Sequence, residues 1–448
     1  MPREAFEVIT TVEGRAVLVG IDRPRTDGWL LEDDLSELGR LADTAGITVA
    51  ATATQRLERP NPRTFIGAGK AAEVADLAKD LKATVVIFDD ELTPSQQANL
   101  ETLLPETRVI DRTQLILDIF ALHAASHEGK LQVELARLEY VLPRLRGMWG
   151  HLEAERLGGG RGARFGAGES QLETDRRLTR RRIADVKREL KTVARARETQ
   201  RAARARSGVF RVALVGYTNA GKSTLLNALT DAGVLVQDQL FATLDATTRR
   251  LDLPDGRAVT LTDTVGFINK LPHGLVEAFK STLDEVREAD LLLHVVDAAH
   301  PNAEAQVAAV RVVLQEIDAA ERPQLLAYNK ADLLPVEEQQ RLQDAPGAVL
   351  ISAAAHAGLD ALLERIASVA AGADHVFSAL VPYDRGDLIG VAHEQAHIIS
   401  EEHTEHGTRV TLAAHPEVTA RFEAFRENAP ERSGTIDTDD DAEDDGRP

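Results

Sequence analysis

The segment GYTNAGKST, residues 216–224, constrains the fold more than any other, and it follows the apolar run VALV and precedes LLNAL. Gly216, four further residues and then Gly221, Lys222 and Ser223 match the spacing of a phosphate-binding loop between a strand and a helix. In such a loop the backbone N–H groups converge on a phosphate at the start of the helix. The segment therefore predicts an α/β nucleotide-binding domain; the alternative is a simple glycine turn before a helix.

Two further elements predict how a nucleoside triphosphate would be held. Lys222 would place its charge on the β and γ phosphates, and the Ser223 hydroxyl would ligate Mg²⁺. In TLTDTVGF, Asp263 ends a strand and would hold Mg²⁺ through water, while Gly266 would offer its N–H to the γ-phosphate. In LFATLDATTRR, Thr243 is the predicted switch threonine on Mg²⁺, with Thr247 or Thr248 as competitors.

The segment QLLAYNKAD indicates which base is bound. Asn329, Lys330 and Asp332 follow a strand about a hundred residues after the phosphate loop and resemble the guanine reader of GTPases. A carboxylate accepts hydrogen bonds from both N1–H and the amine of guanine, whereas adenine offers neither there, so the predicted substrate is GTP. Ser352 and Ala353 in VLISAAA resemble the last base-contacting loop.

The predicted site combines these elements. The residues predicted to act in catalysis are Lys222, Thr243 and Gly266, and the predicted metal ligands are Ser223 and Thr243, with Asp263 acting through water. The residues predicted to contact the nucleotide are Gly216, Tyr217, Thr218, Asn219, Ala220, Gly221, Lys222, Ser223, Thr224, Phe241, Ala242, Thr243, Leu244, Asp245, Asp263, Thr264, Val265, Gly266, Asn329, Lys330, Asp332, Ser352 and Ala353.

A chain of 448 residues exceeds what one core supports, so several domains are expected. Alternating strands and helices predict a βαβ parallel-sheet domain before the P-loop domain. The predicted fold class is α/β, with a helical hairpin between these two domains and a small α+β domain after them. The predicted bounds are 1–112 for the N-terminal domain, 113–207 for the hairpin, 208–372 for the nucleotide-binding domain, 373–428 for the α+β domain and 429–448 for an acidic disordered tail.

The hairpin is predicted from two leucine-rich seams. Leu131, Leu135 and Leu138 recur at helical spacing, as do Ile183 and Val186 on the second segment, so the two helices are expected to pack antiparallel. The glycine-rich stretch between them, residues 146–169, is predicted to be an exposed loop at the tip or a connector folded back on the hairpin. A second glycine segment, FIGAGKAAEV in the first domain, is interpreted as a helix start because it lacks the hydroxyl after Lys70.

Charge is distributed unevenly. The formal net charge is −20, yet residues 176–206 carry thirteen Lys or Arg against three acids, and the end of the chain is acidic. The basic stretch is either an RNA-binding surface or a solvated helix face. The absence of cysteine excludes disulfides and thiolate metal sites, and no apolar run is long enough to span a bilayer. We expect a cytoplasmic monomer, with peripheral membrane association left open.

FATLD, DTVGF, GMWGHLE and GESQLETDRR together resemble the HflX family of ribosome-associated GTPases, and the domain order matches as well. The resemblance implies Mg²⁺-dependent GTP hydrolysis, binding to the large ribosomal subunit and splitting of stalled or idle ribosomes. It also favours rRNA contact through residues 176–206 and the glycine-rich loop. Two other functions stay open: a GTP-dependent switch acting on a protein or membrane partner, and an ATP-driven RNA remodeller using Gly67–Lys70.

Phe267 stands where Ras-type GTPases place the glutamine that orients the attacking water. A phenyl ring cannot orient water. The sequence therefore predicts slow intrinsic hydrolysis that a partner accelerates.

Overall fold

The structure is a computed structural model, and it describes residues 14–24, 29–156, 167–205, 209–230, 240–241, 244–270, 280–343, 347–372, 374–414 and 416–427. The predicted acidic tail, 429–448, and the switch residues Ala242 and Thr243 lie outside these ranges. Three sheets and one long helical hairpin make up the described architecture.

The N-terminal unit is a parallel four-stranded sheet of order β2-β1-β3-β4, which confirms the predicted βαβ arrangement. All four residues of Val85–Phe88 are buried, as expected for a parallel strand covered by helices on both faces. The elements are β1 Gly14–Asp22, α1 Leu31–Thr44, β2 Ile47–Arg56, α2 Ala68–Asp80, β3 Val85–Phe88, α3 Pro94–Leu103 and β4 Arg108–Asp111.

Three helices follow: α4 Arg112–His123, α5 His127–Arg156 and α6 Ala167–Ala205. Leu131, Leu135 and Leu138 of α5 form a buried cluster with Val186 of α6, so the predicted hairpin seam is confirmed. The predicted loop at 146–169 was too long, because α5 continues to Arg156 and α6 begins at Ala167. A glycine costs a helix only about 1 kcal/mol relative to alanine, and the Leu, Glu and Ala residues of 152–155 favour the helix.

The next unit is a six-stranded sheet of order β10-β9-β8-β5-β7-β6, parallel except for β6, which runs antiparallel to β7. Its strands are β5 Arg211–Gly216, β6 Thr247–Asp252, β7 Ala258–Asp263, β8 Leu291–Asp297, β9 Gln324–Asn329 and β10 Ala348–Leu350. Its helices are α7 Lys222–Thr230, α8 Lys280–Arg287, α9 Ala303–Glu316, α10 Val336–Gln343 and α11 Leu359–Gly372.

The C-terminal unit is α+β, as predicted, with an antiparallel sheet of order β12-β13-β11-β14. Phe377 and Phe422 pack together in its core, with ring centroids 5.7 Å apart. Its elements are β11 His375–Val381, α12 Gly386–Gln395, β12 His397–Thr404, β13 Gly407–Ala414, α13 Pro416–Phe422 and β14 Arg426–Glu427. Within the described ranges, none of the helices is both long and apolar enough to cross a bilayer.

The largest hydrophobic cluster joins the N-terminal unit to the nucleotide-binding unit. Trp29 from the N-terminal unit and Phe120 from α4 share this buried cluster with Tyr217, Phe241 and Phe267 from the nucleotide-binding unit. The two units are therefore packed against each other through residues of the predicted site.

Candidate functional site

The phosphate loop has the backbone that its glycines predicted. β5 ends at Gly216 and α7 begins at Lys222. Gly216 and Gly221 have φ of +149° and +93°, and a Cβ at Gly216 would lie 2.2 Å from the Val295 carbonyl oxygen. A side chain is therefore excluded by both conformation and contact. The alternative interpretation, a loose glycine turn, does not account for such close packing against β8.

Lys222 lies buried across this loop. Its Nζ donates hydrogen bonds to the carbonyl oxygens of Gly216, at 3.2 Å, and Tyr217, at 2.9 Å. Burial lowers the pKa of Lys222 to about 8, although the Asp263 carboxylate opposes the shift. A bound phosphate would favour the charged lysine in the same way as Asp263 does.

Ser223, a predicted magnesium ligand, contacts Asp263, which is predicted to hold the metal through water. The Ser223 hydroxyl donates to Asp263 Oδ2 at 2.6 Å, and Asp263 is fully buried at the end of β7. A hydroxyl and a carboxylate are hard oxygen donors of the kind that Mg²⁺ prefers, so these residues fit the predicted metal. Thr247 and Thr248, the competitors of Thr243, lie in β6, where Thr248 shares a hydrogen bond with Thr262.

Gly266 packs directly against the phosphate loop. A Cβ there would lie 2.8 Å from Thr218 Cγ2 and 3.1 Å from Lys222 Nζ, so the 266 backbone lies close to the lysine of the phosphate loop. The next residue, Phe267, donates its N–H to the Gly216 carbonyl at 3.1 Å and accepts from Thr218 N–H at 2.7 Å. Its ring is 2% exposed, so it lies in the core and contacts no solvent that it could orient.

The predicted base reader, residues 329–332, also contacts the phosphate loop. Asn329 Nδ2 donates to the Ala220 carbonyl at 2.9 Å, and Asn329 Oδ1 accepts from Ala353 N–H at 2.9 Å. Ser352 Oγ donates to Asp332 Oδ1 at 2.5 Å, so the two predicted base loops hold one another. Lys330 pairs with Asp297 at 2.6 Å.

The described residues of the predicted switch segment pack against elements that precede the nucleotide-binding unit. Phe241 and Leu244 are each 2% exposed, and Phe241 packs against Phe120 of α4 with ring centroids 4.6 Å apart. The Asp245 carboxylate accepts hydrogen bonds from the backbone of Ala125 and Ser126. These side chains contact the N-terminal unit and the hairpin, because apolar rings bury in the shared core and a carboxylate is stabilised at a helix N-terminus.

Comparison with known proteins decides the family. Protein-family models described as "GTP-binding GTPase N-terminal", "GTP-binding GTPase Middle Region" and "50S ribosome-binding GTPase" match residues 32–121, 123–204 and 211–330. A relative named GTPase HflX from Caldanaerobacter subterraneus subsp. tengcongensis is 46% identical over 422 residues, covering 94% of this chain and 96% of that protein. GTPase HflX from Escherichia coli strain K12 is 48% identical over 359 residues, covering 80% and 83%.

The chain belongs to the HflX family of GTPases. It is a GTP-binding and GTP-hydrolysing protein, as the phosphate loop and the NKAD segment indicated.

In this HflX-family chain, the N-terminal unit contacts the nucleotide site at Tyr217 of the phosphate loop. The Trp29 ring stacks on the Tyr217 ring with centroids 6.0 Å apart. The Tyr217 hydroxyl donates to Glu37 Oε2 and accepts from the backbone N–H of Asn269 at 2.6 Å. Burial and the neighbouring Glu37 carboxylate raise the pKa of Tyr217, so its proton stays in place.

A buried ionic network supports this contact. Arg112 pairs with Glu37 at 2.8 Å and with Asp89 at 2.6 Å, and it also donates to the Asn269 carbonyl at 3.3 Å. Lys270, three residues after the DTVGF segment, pairs with Asp34 at 3.0 Å and with Asp89. Burial alone would raise the pKa of Asp89, but Arg112 and Lys270 hold it below its ordinary value.

Sequence reasoning missed this network, although one signal was present. In α1, Asp34 and Glu37 fall at helical spacing with Leu38 and Leu41, on the apolar face of the helix. Carboxylates on such a face are costly to bury unless they are paired, so they predict a basic partner from elsewhere in the chain. The periodicity of α1 does not identify Arg112 as that partner.

His294 in β8 predicts a pH dependence of stability. Burial, with help from the positive charges of Arg311 and Lys222, lowers its pKa to about 4. Since the folded pKa lies below the unfolded value, stability is full above about pH 6.5 and falls as the pH drops towards 4. We expect His294 to contribute about 2 kcal/mol of the loss between pH 7 and pH 5. Urea unfolding of His294→Leu at both pH values should show a pH dependence smaller by that amount; an unchanged dependence would refute the assignment.

Proposed function

We propose that this chain is a GTPase that acts on the large ribosomal subunit and separates stalled or idle ribosomes. The observation that carries the proposal is the match of residues 211–330 to a family model described as "50S ribosome-binding GTPase", on a chain whose phosphate loop and base reader converge. In this proposal the protein acts as a monomer in the cytoplasm, where its partner is found.

The geometry supports the following roles in hydrolysis. The backbone of residues 216–221 and Lys222 bind the phosphates, Asp332 reads guanine, and Gly266 offers its N–H to the terminal phosphate. Mg²⁺ held by Ser223 and Thr243, with Asp263 behind a water, would neutralise charge on the phosphates. Water attacks the γ-phosphorus, the bond to the β-γ bridging oxygen breaks, and GDP and phosphate leave.

The buried Phe267 supports slow turnover by the free protein. The phenyl ring at this position cannot align the attacking water, so a partner must order the switch segments or supply the missing group. GTP turnover by the purified protein should rise by roughly tenfold or more on adding isolated large subunits. Turnover that large subunits leave unchanged would instead support a GTP-dependent switch whose partner is another protein or a membrane.

The exposed face of α6 is the proposed rRNA contact. Arg177, Arg180, Arg181 and Lys191 are exposed, and within the described residues they form no ion pair, whereas Arg182 pairs with Glu134 at 2.6 Å. Unpaired cations are available to phosphates, and each contact released by salt steepens the salt dependence of binding.

Reversing three of these charges tests the contact. In Arg177→Glu/Arg181→Glu/Lys191→Glu, we expect weaker co-sedimentation with large subunits and a log-log salt slope shallower by about two to three, with GTP affinity unchanged. The matched control reverses Arg322, Arg341 and Arg365, three exposed cations of the nucleotide-binding unit. If both triple variants sediment like the parent, the hairpin is not the docking surface.

A further inference from the structure

We propose that Asp245 is a positioning residue that couples the helical hairpin to GTP hydrolysis, by fixing the FATLD segment to the first turn of α5. The inference rests on the proposed function, in which the hairpin engages the ribosome. It assigns to Asp245 a role different from the nucleotide contact predicted from sequence.

The contact between Asp245 and α5 is made by several donors at once. Asp245 Oδ2 accepts from Ser126 N–H at 2.7 Å and from Ala125 N–H at 3.1 Å, and Asp245 Oδ1 accepts from the Ser126 hydroxyl. Ser126 Oγ in turn accepts from Gly129 N–H at 2.9 Å, inside the first turn of α5. The carboxylate thus lies where the dipole of a long helix favours negative charge.

Gly129 shows how closely the two segments approach. A Cβ at this position would lie 2.7 Å from Asp245 Oδ1 and 3.1 Å from Ser126 Oγ. An alanine would therefore displace the carboxylate or the hydroxyl. The helix accommodates Asp245 because residue 129 has no side chain.

The same segment is held a second time, four residues earlier. Phe241 packs edge-on against Phe120 of α4, and the preceding Leu240 donates its N–H to Thr44 Oγ1 of α1 at 3.2 Å. Thr243, the predicted magnesium ligand, lies in sequence between the two attachments. Phe241 and Leu240 are attached to α4 and α1, whereas Asp245 is attached to the start of the hairpin.

The length of α5 makes this attachment mechanically useful. A helix of thirty residues spans about 45 Å, and α5 is joined to α6 along the buried seam at Leu131, Leu135 and Leu138. Because the two helices are packed along their seam, a displacement of the far end of the hairpin also moves the start of α5. Asp245 is bound at the start of α5, so engagement of the hairpin changes the position of the switch segment.

The coupling is tested in the full-length protein with Ser126→Ala, Gly129→Ala and Asp245→Asn. We measure GTP turnover without and with isolated large subunits, co-sedimentation with subunits, and the thermal unfolding midpoint. The ratio of stimulated to unstimulated turnover should fall about tenfold in Gly129→Ala and Asp245→Asn, and less in Ser126→Ala, which keeps both backbone donors. Ser126→Thr, which retains the hydroxyl, should keep the ratio of the parent.

Two readouts separate coupling from loss of structure. Gly129→Ala and Ser126→Ala should sediment with subunits and turn over GTP alone as the parent does, because neither residue contacts the phosphate loop. The matched control is Gly69→Ala in α2, where a Cβ would meet nothing within 4 Å.

The outcomes are distinguishable. If large subunits stimulate GTP turnover equally in the parent, Gly129→Ala and Asp245→Asn, the coupling is overturned and the proposed function stands. A parent that large subunits do not stimulate overturns the proposed function, and the coupling falls with it. A variant that unfolds at lower temperature and also loses unstimulated turnover counts against coupling, since its defect is structural.

Discussion

An Asp332→Asn variant is expected to lose GTP affinity by about a thousandfold, because an amide cannot accept from both N1–H and the amine of guanine. The reason for so large an effect is the rigidity of the carboxylate: Ser352 holds Asp332 at 2.5 Å, and Ala353 holds the neighbouring Asn329 at 2.9 Å. The amide presents a donor in the same place, so xanthosine triphosphate, which carries a carbonyl at position 2, should bind the variant better than GTP does.

The measurement is competition of unlabelled nucleotides against a fluorescent GDP analogue. The matched control is Asp360→Asn, an exposed aspartate at the start of α11 that should leave both affinities unchanged. Equal GTP affinity in Asp332→Asn and the parent would show that residues 329–332 are not the base reader.

An Arg112→Met variant should lose about 3–5 kcal/mol of unfolding free energy. Arg112 is 2% exposed and is the shared partner of Glu37 and Asp89, which are each 1% exposed. Removing the guanidinium leaves the buried Glu37 carboxylate without this cation and leaves Asp89 with Lys270 alone. An uncompensated buried charge costs more than the ion pair contributed. The contact with Tyr217 should loosen as well, since Glu37 holds the tyrosine hydroxyl.

Trp29 reports on this interface, because its ring stacks on Tyr217. In a Trp149→Phe background, Trp29 is the sole tryptophan, and urea unfolding followed by its emission measures the stability of the contact. Arg250→Met is the control: Arg250 and Asp252 form a pair in which both side chains are over 70% exposed, so its loss should cost at most about 1 kcal/mol. Similar midpoints for the two variants would rule out a stabilising role for the buried network.

The parts of the site that sequence reasoning located are those determined locally. Gly216 and Lys222 lie within one strand-loop-helix unit, and the spacing alone restricts what the backbone can do. Asn329 was located because a short motif followed a strand. By contrast, Tyr217 and Glu37 are 180 residues apart, and nothing in a local period encodes such a contact.

In the fold, too, most of the features that a single segment determines were predicted, and a feature that depends on distant residues was missed. The parallel sheet of the first unit and the leucine seam of the hairpin follow from hydrophobic periodicity, which one segment displays by itself. The extension of α5 to Arg156 was missed, because the whole glycine-rich stretch 146–169 was interpreted as a loop although the residues at 152–155 favour the helix. The attachment of Asp245 to Ser126 was missed because it depends on how three elements pack.

The cluster shared by Trp29, Phe120, Tyr217, Phe241 and Phe267 bears on how this chain can be divided for experiments. Sequence motifs place a boundary near residue 208, and a shortened protein starting there would contain every nucleotide-binding motif. It would also present to water an apolar face that the intact chain covers, and such a face promotes self-association. The smallest piece that keeps the surroundings of its own switch segments intact begins within the first sheet, so truncation at the motif boundary alters the enzyme that it is meant to isolate.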